Sequence, residues 1–286
     1  MGYILFYFLN SLLAINHEKI KHIKYLDFLI FFSIIFFASI RGGIGGDWFR
    51  YVAYYDKVLP GKDPQVDILF YSINALLNLL NFEILGRNIV LIILFIFPFY
   101  YVFKKSYHNI YLALCIFFPI IFLVYGLGSV RQGLAISYFF LFLYYNENKV
   151  IKYLLFFVPF FFHTSSIFIL IFYFGSQVLA FNNLKKLIFF IIIFFIISLI
   201  ILFYQYDYFY EKFDNYILKD TYFSIGAPVR AILLSMFSLL FLYKLKNLNI
   251  LDYKIKNFLF FSSLLILFLT PFSFFVSTPV DRILGF

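Results

Sequence analysis

The chain has 286 residues, of which 64% are hydrophobic, 26% aromatic and only 13% charged, with a formal net charge of +9. A soluble domain is about a quarter charged and cannot hide this much Phe, Ile and Leu, which excludes a soluble enzyme, a disordered chain and a secreted disulfide scaffold. What remains is an all-α polytopic membrane helix bundle, and the positive excess reads as lysines gathered in cytoplasmic loops rather than as a nucleic-acid footprint.

In chain order, the first apolar run covers residues 1–15 and is followed, not preceded, by Lys19, Lys21 and Lys24. That order fits a first membrane helix rather than a signal peptide. A second run covers 26–40. A long polar segment, 41–87, then forms an outer loop. Within it, residues 66–85 repeat polar side chains every three or four positions (Asp67, Tyr71, Asn74, Asn78, Asn81) among Ile, Leu and Phe. This spacing predicts an amphipathic helix on the outer membrane surface or re-entering it, not a crossing. Further runs follow at 88–103, 110–125, 132–145, 150–162, 166–181, 187–203, 229–243 and 258–276.

Lysine-rich loops set the orientation. Placing Lys104/Lys105, Lys149/Lys152 and Lys185/Lys186 all on the inside requires an even number of crossings between Lys152 and Lys185. The stretch around His163 therefore breaks a pair of helices near the outer side, and Pro159 suits such a break. The count is about ten spans with both ends outside, in one transmembrane domain over 1–286. Cys115 is a lone cysteine and reads as a small buried hydrophobe; it permits neither an intrachain disulfide nor a thiolate metal site.

In this topology the inner loops carry lysine alone, and the arginines (Arg41, Arg50, Arg87, Arg131, Arg230, Arg282) all fall outside. Arginine suits bidentate phosphate or carboxylate binding, so an anionic ligand on the outer face is expected. Pairing with outer acids or snorkelling to head groups is the plainer alternative, chiefly for Arg50 and Arg87.

Four stretches carry candidate chemistry. The first is Arg41 followed by Gly42, Gly43, Ile44, Gly45, Gly46, Asp47, Trp48, Phe49, Arg50 and Tyr51. Its glycines expose backbone N–H groups that can cradle an anion beside Arg41. Asp47 is placed to act as a base or to bind a sugar hydroxyl, and Trp48 and Tyr51 offer flat faces to sugar rings. An ordinary flexible loop capped by Asp47 explains the same residues.

The second runs from Gly126 to Ala135. Ser129 is a candidate cap, and Arg131 and Gln132 lie at a helix N-terminus that favours anions. In the third, Phe162-His163-Thr164-Ser165-Ser166, His163 either works on substrate as hydrogen-bond donor or proton shuttle, or is a satisfied structural histidine. The fourth is Asp281-Arg282-Ile283, with Arg230 at the mouth of another span.

Arg41 with its glycines and Asp47–Tyr51, then Val130-Arg131-Gln132-Gly133-Leu134-Ala135, then Phe162-His163-Thr164-Ser165-Ser166, then Asp281-Arg282-Ile283, in this order, resemble the EpsG family of bacterial polysaccharide polymerases, relatives of the Wzy-type polymerases. The resemblance implies a membrane glycosyltransferase at the outer face of the cytoplasmic membrane. It would join oligosaccharide repeat units carried on polyprenyl pyrophosphate into capsule, exopolysaccharide or O-antigen. It also implies pyrophosphate binding by Arg41, Arg131 and Arg282, with Asp47 and His163 at polar motif positions and the identity of the base open. No cofactor is implied, and a chain-length regulator or flippase is a natural partner. Family members usually continue through one or two more spans, so the chain reads as one lacking its C-terminal end. A lipid-linked oligosaccharide flippase and an inactive truncated paralogue are the competing readings.

Overall fold

The computed structural model describes residues 2–23, 25–40, 42–43, 48–57, 67–106, 109–179, 226–245 and 252–274. Among them every regular element is a helix and no strand occurs. The chain divides into two compact units, Met1–Ser166 and Ile167–Phe286.

The first unit contains α1 (Gly2–Ile15), α2 (His17–Ile20), α3 (Leu26–Ser39), α4 (Trp48–Lys57), α5 (Ile68–Leu79), α6 (Ile84–Ser106), α7 (Ile110–Phe117), α8 (Val130–Tyr144) and α9 (Lys149–Phe162). Local sequence sets several starts. The Asn109 side chain accepts the Leu112 N–H at 3.1 Å, and Asn148 accepts from Val150 N at 2.8 Å and Ile151 N at 3.3 Å. Each satisfies N–H groups that a first turn leaves without partners.

Helix α6 organises this unit, packing against α3 on one side and α8 on the other. Phe95, Phe99 and Phe103 recur every four residues and so share one face. All three meet Phe117 of α7, at centroid distances of 6.0, 4.6 and 5.6 Å. Aromatic pairs at such separations add to the energy of burial itself. Helix α8 continues the layer onto α9, and α1 packs on α7.

The outward faces are as apolar as the inward ones. On α1, Ile4 and Leu5 are 75% and 71% exposed, and Phe97 of α6 is 57% exposed. An apolar belt of this kind suits hydrocarbon and would drive association in water. Two described helical stretches are long and apolar enough to cross a membrane, Ile84–Ser106 (23 residues) and Tyr253–Phe274 (22 residues). Apolar helices of 10–17 residues stand at several other expected spans, including Leu26–Ser39 and Val130–Tyr144. The span expected at 187–203 lies outside the described residues.

Two local features differ from the sequence expectations, and a third settles what they left open. The run at 110–125 is not one α-helix: α7 gives way to a π-helical segment, Phe118–Gly126, whose wider turns carry the Leu127 N–H back to Phe122 O. Pro119 lies in its first turn and has no N–H to return to the preceding turn. Pro159 does not break α9. The helix passes through it and ends at Phe162, where the His163 N–H caps the Pro159 carbonyl at 2.9 Å. His163 itself is extended (φ −156°, ψ 114°), and a 3-10 turn, Thr164–Ser166, follows.

The third feature is the direction of α5, which its spacing left open. Its polar stripe faces protein, not water: Asp67 is 5% exposed and Asn74 1%. Asn78 accepts a short hydrogen bond from Arg87 of α6. The apolar side faces out, with Ile68, Leu76 and Leu79 each more than half exposed. The helix is amphipathic as its spacing predicts, but the polar side is the protein-facing one, as expected where the surroundings are hydrocarbon.

The second unit holds α10 (Ile167–Leu179), α11 (Gly226–Lys244) and α12 (Tyr253–Leu269). Helix α12 packs against both others. Its start is capped by Asp252, which accepts the Lys254 N–H at 2.9 Å. Gln177 ties α10 to it by donating to the Lys254 carbonyl at 2.9 Å, and Tyr173 and Phe258 lie 5.9 Å apart.

Candidate functional site

The site forms where three helix ends of the first unit converge on one carboxylate. Asp67 occupies the N-cap position of α5, where an aspartate usually accepts a hydrogen bond from its own first turn. Here it makes no side-chain cap (φ −48°, ψ 119°). The carboxylate points to other elements instead. Arg131 Nη1, from the first turn of α8, lies 3.2 Å from Oδ2. His163 Nδ1, at the C-cap of α9, lies 3.1 Å from the same oxygen. The Thr164 backbone N–H donates to Oδ1 at 2.7 Å.

Local sequence places each partner. Gly133 lets α8 begin close to the preceding segment: a Cβ there would lie 2.7 Å from the Tyr125 carbonyl oxygen. A Cβ on Gly128 would lie 2.3 Å from the Val124 carbonyl oxygen. These glycines therefore serve close backbone approach, and the approach delivers Arg131 to Asp67. Ser129 holds the N-cap position of α8 but makes no side-chain cap. The guanidinium of Arg131 also lies over the Phe70 ring at 6.0 Å, and Phe70 packs against Tyr51 of α4 at 5.8 Å.

Exposure is graded across the cluster. The Asp67 side chain is 4% exposed, His163 21% and Arg131 35%. The carboxylate sits behind, and the imidazole and guanidinium reach the surface in front of it. Burial pushes the Asp67 carboxyl up, but the hydrogen bond and charge of His163, the Thr164 amide and the Arg131 charge outweigh burial and hold it below the usual carboxylate range. The arrangement is a carboxylate in contact with a guanidinium, an imidazole nitrogen and a backbone amide, with the guanidinium and the imidazole reaching the surface.

The other expected site residues fall as follows. Tyr51 is 5% exposed, within α4 against Phe70. Gln132 is half-buried in the first turn of α8, beside Arg131. Arg230 is half-buried near the start of α11, in the second unit. Arg41, Asp47 and Arg282 lie outside the described residues. Sequence reasoning missed Asp67 as a site residue, and with it the Thr164 amide and the Phe70 face. The available signal was an aspartate heading a polar stripe at the start of an apolar helix.

Apolar outward helices around a small buried charge cluster define an integral membrane protein with a polar site at its helix ends. The particular family follows from comparison: the EpsG family model matches residues 24–286, and the chain belongs to that family. No curated protein and no solved structure matches it.

Proposed function

We propose that the protein is a membrane glycosyltransferase that polymerises polyprenyl-pyrophosphate-linked oligosaccharide repeat units into capsule, exopolysaccharide or O-antigen. It acts at the outer face of the bacterial cytoplasmic membrane, with 1–286 working as one transmembrane domain. Membership of the EpsG family supports a polysaccharide polymerase. The observation that carries the chemistry is the meeting on Asp67 of Arg131 and His163, which lie 64 and 96 residues further along the chain.

Polyprenyl pyrophosphate is a good leaving group, so the main demand is to hold charge as it develops on the departing oxygen. Arg131 suits that demand, since a guanidinium carries a permanent positive charge and a planar fork of donors that matches phosphate oxygens. Arg41 is proposed to add charge at the pyrophosphate and Tyr51 and Gln132 to line the saccharide side, while Arg230 and Arg282 are proposed as further substrate-binding residues. His163 or Asp47 takes the acceptor hydroxyl's proton. A chain-length regulator or flippase is the expected partner in the membrane.

The test uses single repeat units on their lipid, extracted from cells deleted for the gene and mixed with the full-length protein in liposomes. The expected result is a ladder of multimers with release of polyprenyl pyrophosphate, absent with Arg131→Ala. Movement of intact units across the bilayer with no new glycosidic bond would replace the polymerase reading by a flippase.

A further inference from the structure

We infer that Asp67 is the positioning residue of this site: it holds the His163 proton on Nδ1, so that Nε2 is the general base, and it anchors Arg131 beside that base. The inference rests on the polymerase reading above and goes beyond it by selecting the base and adding a residue that the motifs do not contain.

Three observations carry it. First, Asp67 forgoes the local role of its position, since it leaves its own helix uncapped and spends both carboxylate oxygens on α8 and on the α9 terminus. Second, Oδ2 lies within hydrogen-bond distance of both Nδ1 and Nη1. A carboxylate that already accepts from an arginine carries no proton of its own, so the short contact to Nδ1 requires the proton on the imidazole. A histidine engaged in this way at Nδ1 accepts protons at Nε2. Third, the carboxylate is 4% exposed while the two side chains it holds are 21% and 35% exposed. Asp67 therefore acts through His163 and Arg131 rather than on the saccharide.

The transfer step then balances. An acceptor sugar hydroxyl attacks the anomeric carbon of the lipid-linked donor and forms the new C–O bond. The bond from that carbon to the pyrophosphate oxygen breaks, and its electron pair leaves with polyprenyl pyrophosphate beside Arg131. The hydroxyl proton passes to His163 Nε2, and the resulting imidazolium keeps its Nδ1–H on Asp67, which stabilises the added charge.

Asp67→Asn tests this because the amide keeps the size and the acceptor oxygen for Thr164 but loses the charge. Two readouts are made on the full-length chain: polymer formation from the extracted lipid-linked units in liposomes, and the His163 tautomer by ¹⁵N NMR in detergent, assigned with His163→Gln. For the wild type an Nδ1–H tautomer is expected. For Asp67→Asn, compared at matched levels of folded protein, kcat falls about 100-fold, KM stays within about threefold, and the tautomer mixture shifts toward Nε2–H. Asp67→Glu recovers part of kcat. Full activity in Asp67→Asn alongside an inactive His163→Gln, or an Nε2–H tautomer in the wild type, overturns the inference. Absence of polymer from the wild-type chain would overturn the polymerase reading instead, and the tautomer would still decide whether Asp67 sets His163.

Discussion

Two ion pairs of the first unit, Lys105 with Glu147 and Arg131 with Asp67, differ in both distance and exposure. Lys105 and Glu147 meet at 2.5 Å, with side chains 48% and 56% exposed. Asp67 and Arg131 meet at the longer distance of 3.2 Å, yet the carboxylate is 4% exposed and takes two further donors. The Lys105 hydrogen bond lowers the Glu147 carboxyl just as the site lowers that of Asp67. Distance is therefore a poor guide to importance. Water competes for an exposed pair and screens it, whereas a buried carboxylate depends on its partners for all of its solvation.

The sharpest way to break this contrast is Arg131→Ala, expected to lower polymer formation about 1,000-fold or more while the protein stays in the membrane. Gel analysis of polysaccharide length in complemented cells reads it, and normal chain length would remove Arg131 from the chemistry. His163→Gln is expected to cost about 100-fold through loss of the base, measured as the initial rate in liposomes.

Asp67→Ala should destabilise the protein by about 2 kcal/mol, because it strands the Thr164 amide, the Nδ1–H and one arginine donor. The unfolding midpoint in detergent measures this. The pH dependence has a definite sign. The folded carboxyl of Asp67 is held below its ordinary value of 3.8, so its stabilisation is complete above that value and is lost as pH falls through the folded one. The difference in unfolding midpoint between wild type and Asp67→Asn should thus be flat at neutral pH and close below about pH 4.

Gly133→Ala should cost about 1–3 kcal/mol, since its Cβ meets a backbone oxygen that cannot rotate away. A fall in kcat per folded molecule should accompany it, since the same close approach delivers Arg131 to Asp67; an unchanged kcat would confine this glycine to packing. The smallest effect is expected of Glu147→Gln, which should leave both melting temperature and polymer length unchanged. A clear loss there would erase the distinction between the two pairs.

Much of the scaffold was legible in the sequence, because its signals are local. The apolar run after Lys149 ends at the break marked by His163, as expected. Arg131 was legible as a helix-start arginine in a glycine-rich turn. Asp67 was not, because its partners lie 64 and 96 residues away and an N-cap aspartate needs no distant partner to explain it. The direction of α5 was also hidden. Periodicity shows that a helix has two faces, but which one meets protein depends on whether its surroundings are water or hydrocarbon. The π-helical turn at Phe118–Gly126 was hidden because a Phe- and Ile-rich run has the same composition in either helix form.

A double-mutant cycle on polymerisation rate tests most directly whether Asp67 and His163 form one working unit. Asp67→Asn, His163→Gln and the double variant would be compared with wild type in liposomes at matched protein levels. If Asp67 acts mainly through the base, adding Asp67→Asn to His163→Gln should cost far less than its full effect of about 100-fold, the remainder reporting its hold on Arg131. Losses that multiply, leaving the double variant about 100-fold slower again than His163→Gln, would show that Asp67 acts independently and contradict the account.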